Sequence, residues 1–506
     1  MMKIPLNKSL LLSLPSLMIV VLVLSSLVFA QSEPDAKKET GTSAPAAKAP
    51  EGEPNKVMAD VSPAGHDAAA PKEKGAGEAG GGKSAKKAEV NPVTEMMNHD
   101  MPGWLRWSGE YRMRFENKSR PNGVPGNNDG YFSQRLRIAM TIKPTENWTM
   151  YVEGQDSHVF GYNVQPPPSS FDDNLDLRQA YVDYTSGAKR GWGVRVGRQE
   201  FKYTDQRVIG VSNWSNTSRV FDAIKLSAFG EKYAVDVFAS SVVVNQDQVF
   251  NKHVDGQNFY GAHATFPTLI PKGEVNVYSY WRTRPIVTGE TVRTGLRNSG
   301  DSDTVTTGTR FAGKLPKRFD YITEIMLQRG SFANDSVHAY AFHSRLGYLI
   351  TANHWAPKLL LEYNQGSGDK NPRDGVRGTY DQLFPDNHGK YGIHDIVSIQ
   401  NLQNLRLGIG LAPTKKLKVD FDYHNFWLTQ TRDGVYNEQG TRIAFDPTGM
   451  SGNHVSQETD LQIVYSMKSY VSLGAVYGYW FPGQYWKNTT GGAPGSSFFS
   501  YVTYKF

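Results

Sequence analysis

Hydrophobic and polar residues alternate one by one along much of the chain. From Leu105 to Glu116 the odd positions hold Leu, Trp, Gly, Tyr, Met and Phe, and the even positions hold Arg, Ser, Glu, Arg, Arg and Glu. Successive side chains of a β-strand point to opposite faces, so this pattern predicts a strand with one apolar and one charged face. A soluble sandwich buries its apolar face, whereas a membrane barrel turns that face to lipid. One segment alone fits both architectures.

The alternation recurs, and we count about 18 such strands between Trp104 and Phe506. It is weak near 275–285 and 304–312, and clear in 134–142, 192–196, 405–411, 417–424 and 460–465. The pattern predicts an all-β chain.

The connections between these strands sort into two kinds, which alternate along the chain. The short ones are 143–147, 186–191, 230–232, 267–273, 313–318, 351–357, 413–416 and 467–469. The long ones are near 117–130, 157–175, 198–220, 241–258, 283–303, 364–401, 425–457 and 481–496. The link at 330–336 is the exception, since it is short where a long one is due. Short periplasmic turns opposite long outer loops predict a transmembrane antiparallel up-and-down β-barrel with both termini on the periplasmic side.

The first hundred residues have a different composition from the rest. Lys3 and Lys8 precede a stretch rich in Leu and Val that ends at Ala30, which predicts a cleaved signal peptide over 1–30. Residues 31–99 are rich in Ala, Lys, Glu, Gly and Pro and contain no aromatic side chain, so we expect a disordered periplasmic tether there. The barrel is therefore predicted over 100–506, in the outer membrane of a Gram-negative bacterium.

The amino-acid composition excludes several classes of protein function. The 506-residue chain has no cysteine, which excludes thiolate metal sites, thiol catalysis and covalently attached haem. The mean hydropathy of −0.49 is too polar for a helical membrane protein with many spans. Residues 1–95 carry 11 Lys and 11 acidic residues, so the net charge of +6 belongs to the remainder of the chain. The basic residues are dispersed, which argues against a nucleic-acid partner.

No motif indicates catalysis, a cofactor or a metal. The sequence has no G-x-S-x-G and no H-E-x-x-H, and we expect no enzyme activity. His343 and Ser344 are adjacent in sequence and therefore face opposite sides of a strand. Asp369, Asn371 and Asp374 have the wrong spacing for a calcium loop and lack the bidentate Glu.

The last residues, Phe498 to Phe506, alternate and end on an aromatic side chain. This segment resembles the C-terminal strand by which bacterial outer-membrane barrels are recognised for insertion. We therefore expect the barrel assembly machinery to bind through Phe506, and outer-membrane lipid to surround the barrel.

Several further segments together resemble the alginate export family of outer-membrane barrels. They occur in the family's order across about 104–506, and they are 177–183, 197–200, 205–207, 214–216, 219–222, 362–363, 366–369, 374–375, 380–385, His388, 423–427 and 478–485. The resemblance implies a monomeric 18-stranded barrel with a basic, arginine-lined lumen that passes an anionic polyuronate outwards. The 31–99 segment departs from the exporters that define the family.

The strand phase that turns odd residues of the first strand to lipid assigns charged residues to the lumen. The basic ones are Arg106, Arg112, Arg114, Arg135, Arg137, Arg195, Arg345 and Arg406, and the acidic ones are Glu110, Glu153, Asp183, Asp420, Asp422 and Asp460. Two interpretations remain open. Guanidinium groups favour passage of anions, but the same residues paired with carboxylates would instead brace the wall.

The polar and aromatic run from Gly197 to Phe221 is a candidate constriction loop. Its candidate residues are Arg198, Asp205, Arg207, Trp214 and Arg219. The alternative is a loop that packs above the barrel.

Three hypotheses for function follow from these patterns. The first is an outer-membrane channel for export or passage of an anionic polysaccharide. The second is a porin for small organic anions. The third is a plugged barrel that acts as a surface or assembly scaffold, with the 31–99 tether binding a periplasmic partner.

Overall fold

The computed structural model describes residues 91–121, 128–163, 167–291, 297–352 and 355–506. The predicted signal peptide and the predicted tether as far as residue 90 lie outside these residues. Among the residues described, no helix is long and apolar enough to cross a membrane.

Eighteen strands form one closed antiparallel barrel, which confirms the predicted fold. Each strand pairs with the next along the chain, and the last pairs with the first. The barrel strands are Leu105–Ser119 (β1), Asp129–Ile142 (β2), Trp148–Phe160 (β3), Asp173–Thr185 (β4), Gly191–Gln199 (β5), Phe221–Phe229 (β6), Ala234–Val244 (β7), Lys252–Ile270 (β8), Gly273–Thr291 (β9), Arg297–Leu315 (β10), Phe319–Phe332 (β11), Asp335–Leu349 (β12), Lys358–Gly366 (β13), Leu402–Thr414 (β15), Leu417–Leu428 (β16), His454–Lys468 (β19), Val471–Pro482 (β20) and Gly495–Lys505 (β21).

Three short strands and two helices lie in the connections. Val376–Arg377 (β14) pairs in parallel with β12, and Gly434–Tyr436 (β17) pairs with Arg442–Phe445 (β18). The helices are Pro92–Asn98 (α1) and Gln484–Thr490 (α2).

The outer face of the barrel carries exposed apolar side chains, as the alternation predicts. Ile224 and Leu226 on β6 are 53% and 52% exposed, whereas Phe221 and Ala223 on the same strand are buried. A row of exposed apolar side chains on a strand suits contact with lipid.

Two boundaries differ from the predictions. The connection predicted near 283–303 is shorter, because β9 extends to Thr291 and β10 begins at Arg297. The many Thr, Val and Ser residues there favour extended backbone. Residues 92–98, predicted as the end of the tether, form α1, which begins where the side chain of Asn91 accepts hydrogen bonds from the backbone N–H groups of Val93 (2.8 Å) and Thr94 (3.3 Å).

The seam between β1 and β21 closes the barrel at Gly109 and Phe506. The backbone N–H of Phe506 donates to the carbonyl of Gly109 (2.8 Å), and the N–H of Gly109 donates to the carbonyl of Phe506 (2.6 Å). A Cβ at Gly109 would lie 2.5 Å from the Phe506 ring, so only glycine leaves room for the terminal aromatic side chain.

We expect Gly109→Val to destabilise this seam by about 1–3 kcal/mol, because the added methyl groups overlap the Phe506 ring. The measurement is the fraction of heat-modifiable folded barrel across a urea series. Gly103→Val is the matched control, since a Cβ at Gly103 meets no atom within 4 Å. Equal unfolding midpoints for both variants would contradict the prediction.

Candidate functional site in the barrel lumen

Two long connections fold back into the lumen of the barrel. We call residues 200–220, between β5 and β6, lumen loop A, and residues 367–401, between β13 and β15, lumen loop B. The two loops are joined by backbone hydrogen bonds, from the N–H of Gly210 to the carbonyl of Phe384 (2.7 Å) and from the N–H of Phe384 to the carbonyl of Val208 (3.0 Å). The loops therefore form one connected structure inside the barrel.

Four arginines on β1 and β2 hold the tip of lumen loop A, and we call Arg112, Arg114, Arg135 and Arg137 the arginine clamp. Arg112 donates to the carbonyls of residues 213, 214 and 215 at 2.8, 2.7 and 2.9 Å. Arg135 donates to the carbonyls of residues 213 and 215 at 3.0 and 2.9 Å, and Arg114 donates to that of residue 214 at 2.6 Å. Arg137 donates to the side-chain oxygen of residue 213 at 2.9 Å. All four side chains are buried beneath the loop.

The arginine clamp holds more positive than negative charge. Arg114 pairs with Glu116 (2.5 Å) and Arg135 pairs with Glu110 (2.6 Å). The hydrogen bonds of Arg112 and Arg137 go to backbone carbonyls and to the side-chain amides of Asn213 and Gln155, which are neutral acceptors. Two of the four guanidinium charges are therefore balanced by dipoles rather than by carboxylates.

The other end of lumen loop A binds a distant part of the wall. Arg207 donates to Glu362 on β13 (2.6 Å) and to Asn364 on the same strand (3.1 Å). Five barrel strands separate β13 from β1 by the shorter way round the sheet. Contacts with both parts of the wall require the loop to cross the lumen, so it does not pack above the barrel.

Trp214 lies at the centre of these contacts. Its ring stacks on His388 of lumen loop B, with centroids 4.7 Å apart and an interplanar angle of 11°. The guanidinium of Arg114 sits 4.2 Å from the ring centroid, a cation–π contact. Arg219 joins the loops nearby, because it donates to the carbonyls of Phe384 (2.7 Å) and Pro385 (3.0 Å).

Apolar side chains fill the space between the two loops and the wall. Phe201 and Val208 of lumen loop A pack with Tyr380 and Ile396 of lumen loop B in a buried cluster that also includes wall residues such as Phe259. A packed apolar cluster inside a barrel fixes the loops more firmly than polar contacts alone.

Lumen loop B is fastened at two further points. Asp433, in the connection between β16 and β19, accepts hydrogen bonds from the N–H of Asp369 (2.8 Å) and the hydroxyl of Thr379 (2.7 Å). Asp381 binds the guanidinium groups of Arg282 (2.5 Å) and Arg284, both on β9. Burial opposes ionisation of Asp381, but the two arginines outweigh it and set its pKa at about 2, below the usual 3.8.

This lowered pKa predicts how lumen loop B responds to acid. A carboxyl group with a depressed pKa contributes stability above its unfolded pKa and loses it as the pH falls through the folded value. We therefore expect the protection of amides in lumen loop B, measured relative to their intrinsic exchange rate at each pH, to change little between pH 7 and about pH 5 from this group, and to fall between about pH 4 and pH 2. Asp381→Asn is expected to speed exchange at neutral pH and to remove that acid step. An unchanged acid step in this variant would assign the titration to another group.

The remaining predicted lumen residues lie elsewhere on the wall. Arg195 pairs with Asp183 (2.8 Å), Arg406 pairs with Asp422 (2.8 Å), and Arg345 lies 3.7 Å from Asp320. Glu153 pairs with Arg178. Arg106 is exposed and donates to the carbonyl of Pro102 (2.8 Å). Arg198 is on β5, not in the loop, and pairs with Asp222 (2.8 Å), while Asp205 lies 3.3 Å from Arg207.

Two of the cavities beside the loops are lined by charged residues of the wall. One of about 390 Å³ is lined by both signs of charge, and its lining includes Arg207, Arg345, Arg406, Asp420, Asp422 and Asp460. The other, of about 470 Å³, is lined by residues that include Tyr151, Tyr181, Arg195, Lys202, Lys225 and Asp236. Charged side chains that can reach a moving solute are therefore spread along the lumen.

Sequence reasoning did not identify lumen loop B as part of the site. The length of the 364–401 connection is visible in the sequence, but no pattern singles out Asp381, Arg282, Arg284 or Asp433. Two features of the sequence indicate the loop itself. The loop is longer than an ordinary connection, and it contains several aliphatic residues, such as Ile396 and Val397, that are usually buried.

A closed 18-stranded barrel with an apolar outer face and a charged lumen is the architecture of an outer-membrane channel. The sequence model of the alginate export family matches residues 103–499, so the chain belongs to that family. No curated protein matches this chain in a sequence search.

Solved structures of outer-membrane proteins have a similar fold. OpdO of Pseudomonas aeruginosa has a TM-score of 0.54 at 11% identity, covering 81% of this chain and 99% of OpdO. OccAB4 of Acinetobacter baumannii has a TM-score of 0.52 at 12% identity, covering 80% of this chain and 99% of OccAB4. OpdK of P. aeruginosa, solved with vanillate, has a TM-score of 0.54 at 8% identity, covering 79% and 98%. At these identities the similarity shows the fold alone.

Proposed function

We propose that this protein is an anion-favouring channel that passes an acidic polysaccharide of the polyuronate type through the outer membrane. The observation that carries the proposal is the charge of the arginine clamp, in which four guanidinium groups face two carboxylates. Fixed positive charge beside a lumen lowers the barrier for anions and raises it for cations. Membership in the alginate export family supports a uronate polymer as the solute.

The distribution of the other cations suits a polymer. Arg195 and Arg345 are partly exposed and each has a carboxylate nearby. A carboxylate of a passing chain can exchange with such a paired partner, because both compete for the same guanidinium. Many weak sites of this kind allow a polymer to enter and to leave, which one tight site would prevent.

The test is single-channel recording in a planar bilayer under a salt gradient, followed by addition of polyuronate. We expect the reversal potential to lie towards the equilibrium potential of the anion. We also expect the added polymer to block the single-channel current. Arg195→Gln with Arg345→Gln is expected to reduce both effects. The control is Arg190→Gln, since Arg190 lies in a turn with 80% of its side chain exposed. A cation-selective channel, or one indifferent to the polymer, would overturn the proposal.

The absence of native cysteine permits a sharper version of this test. A single cysteine at position 195 or 345 can be modified by thiol reagents of equal size and opposite charge. We expect the anionic reagent to react faster in the open channel. Equal rates for both reagents would argue against an anion-favouring field at these positions.

A porin for small organic anions is the second candidate, because two loops fold into the lumen and leave cavities of about 390 and 470 Å³. The similarity to OpdK solved with vanillate makes monocyclic carboxylates the solutes to compare. Flux of a uronate monomer or vanillate into liposomes, without any effect of polymer, would favour this candidate. The absence of flux for the uronate monomer and vanillate, together with the absence of any effect of polymer, would favour the plugged scaffold.

Secretion of the protein and its assembly into the outer membrane depend on features outside the lumen. We propose that the signal peptide over 1–30 is removed, that the tether binds a periplasmic partner, and that the assembly machinery binds Phe506. Mass spectrometry of the mature protein, and crosslinking from position 506 during assembly, test these proposals separately.

A further inference from the structure

Three metal-ligating side chains meet where lumen loop B touches strand β19. Nδ1 of His394 lies 3.0 Å from Oε1 of Glu458, and Asp460 is two residues further along the strand on the same face. One ligand atom from each side chain lies within 4.8 Å of the other two, and all three residues are buried. Sequence reasoning missed this group because His394 and Glu458 are far apart in the chain.

No lysine or arginine among the described residues balances the carboxylates of this group. Among the described residues, the ion pairs of Glu458 and Asp460 are with His394 and His424, and none is with lysine or arginine. Two backbone N–H groups, of Ile393 (2.6 Å) and His394 (3.0 Å), donate to Oε1 of Glu458. Two neighbouring buried carboxylates repel each other unless a proton or a cation lies between them.

A second observation, outside the three residues, also points to a ligand. His424 on β16 is fully buried, its Nε2 has no hydrogen-bond partner among the described residues, and this atom lies 3.7 Å from Oδ2 of Asp460. Oδ1 of Asp460 is likewise buried, with no hydrogen-bond partner in the described part of the chain. Buried polar atoms are nearly always paired, so two orphans at one place call for a missing partner.

We propose that His394, Glu458 and Asp460 bind a divalent transition-metal ion that fastens lumen loop B to the barrel wall. An imidazole nitrogen with two carboxylate oxygens is a donor set that suits Zn²⁺ and its neighbours rather than the all-oxygen cations. Ligand atoms placed about 2.1 Å from one ion are about 3–4 Å apart, so small side-chain adjustments close this set around a metal. Nε2 of His424, 3.7 Å from Oδ2 of Asp460, makes no hydrogen bond to that carboxylate and is available as a further nitrogen donor.

The consequence is a metal-dependent latch on a loop that occupies the lumen. His394 belongs to lumen loop B, whereas Glu458 and Asp460 belong to the wall. An ion bound between them adds a connection to the folded loop that is absent when the loop is displaced, so metal binding stabilises the folded-in position. This inference concerns loop position and holds whichever solute the channel passes.

The experiment uses the full chain without a histidine tag, stripped with a chelator and then given Zn²⁺. We expect one Zn²⁺ per chain by elemental analysis after gel filtration, together with slower hydrogen exchange in lumen loop B. His394→Gln and Asp460→Asn are expected to weaken Zn²⁺ binding roughly tenfold or more and to abolish the exchange effect. Oδ1 of Asp460 makes no hydrogen bond to any described residue, so Asp460→Asn disturbs fewer contacts than a change at Glu458.

The control variant is His253→Ala, which removes an exposed histidine near Asp222 (3.3 Å) and Asp255 (3.8 Å). Retention of Zn²⁺ by this variant, with loss in the two site variants, supports the proposal. Equal retention in all variants, no retention at all, or a response to Ca²⁺ but not to Zn²⁺ would overturn it.

Discussion

Replacing Arg112 and Arg135 together by glutamine is expected to raise the single-channel conductance several-fold and to introduce rapid flicker. The two side chains make five hydrogen bonds to backbone carbonyls of residues 213–215. Hydrogen bonds to charged groups contribute about 1.5–3 kcal/mol each, and glutamine restores few of them. The tip of lumen loop A, residues 213–215, then lacks most of its hydrogen bonds to β1 and β2 and moves within the lumen. The anion preference falls as well, because two positive charges are gone.

The charge effect and the clamp effect can be separated. Arg112→Lys with Arg135→Lys keeps both charges but loses the forked geometry, so conductance should rise while the reversal potential stays on the anion side. The matched control is Arg190→Gln with Arg198→Gln, which also removes two charges. The hydrogen bonds of Arg198 go to Leu177, Asp222 and Asn251, away from loop A. A double glutamine variant with wild-type conductance would show that the clamp does not hold the constriction.

The barrel itself could be predicted because its physical cause is local. The two-residue period sets which face of each strand meets lipid, and this period is visible in any short segment such as Leu105 to Glu116. The two segments with weak alternation, near 275–285 and 304–312, also form strands, β9 and β10, and the connection between them is shorter than predicted. Loop length there depends on where paired strands leave each other, which no local pattern records.

The arrangement inside the lumen could be predicted only in part. The strand phase directs Arg112 inwards, but its partners are a hundred residues away in lumen loop A. The path of a long loop depends on many tertiary contacts, such as the one between Trp214 and His388, that leave no periodic trace in the sequence. The two interpretations of the inward arginines are consequently not exclusive. The structure braces a loop with them and still leaves an excess of positive charge.

Glu362→Gln is expected to release the other end of lumen loop A. Glu362 and Arg207 are both buried, and they are joined at 2.6 Å. Removing one member of a buried ion pair leaves the other charge uncompensated, which costs about 3–5 kcal/mol. Asp205, at 3.3 Å from Arg207, offsets part of this loss, so we expect about 3 kcal/mol. The measurement is hydrogen exchange at the backbone N–H groups of Gly210 and Phe384, which join the two loops.

A double variant and a surface control make this prediction specific. Arg207→Gln with Glu362→Gln removes both charges, and it should recover part of the protection because no buried charge stays unpaired. Asp320→Asn removes a carboxylate that pairs with Lys358 (2.7 Å) where the side chains are partly exposed, so it should change stability by less than about 1 kcal/mol. If Glu362→Gln exchanges no faster than Asp320→Asn, the ion pair does not hold the loop. The arginine clamp and the cluster around Phe201 would then be sufficient to keep it in the lumen.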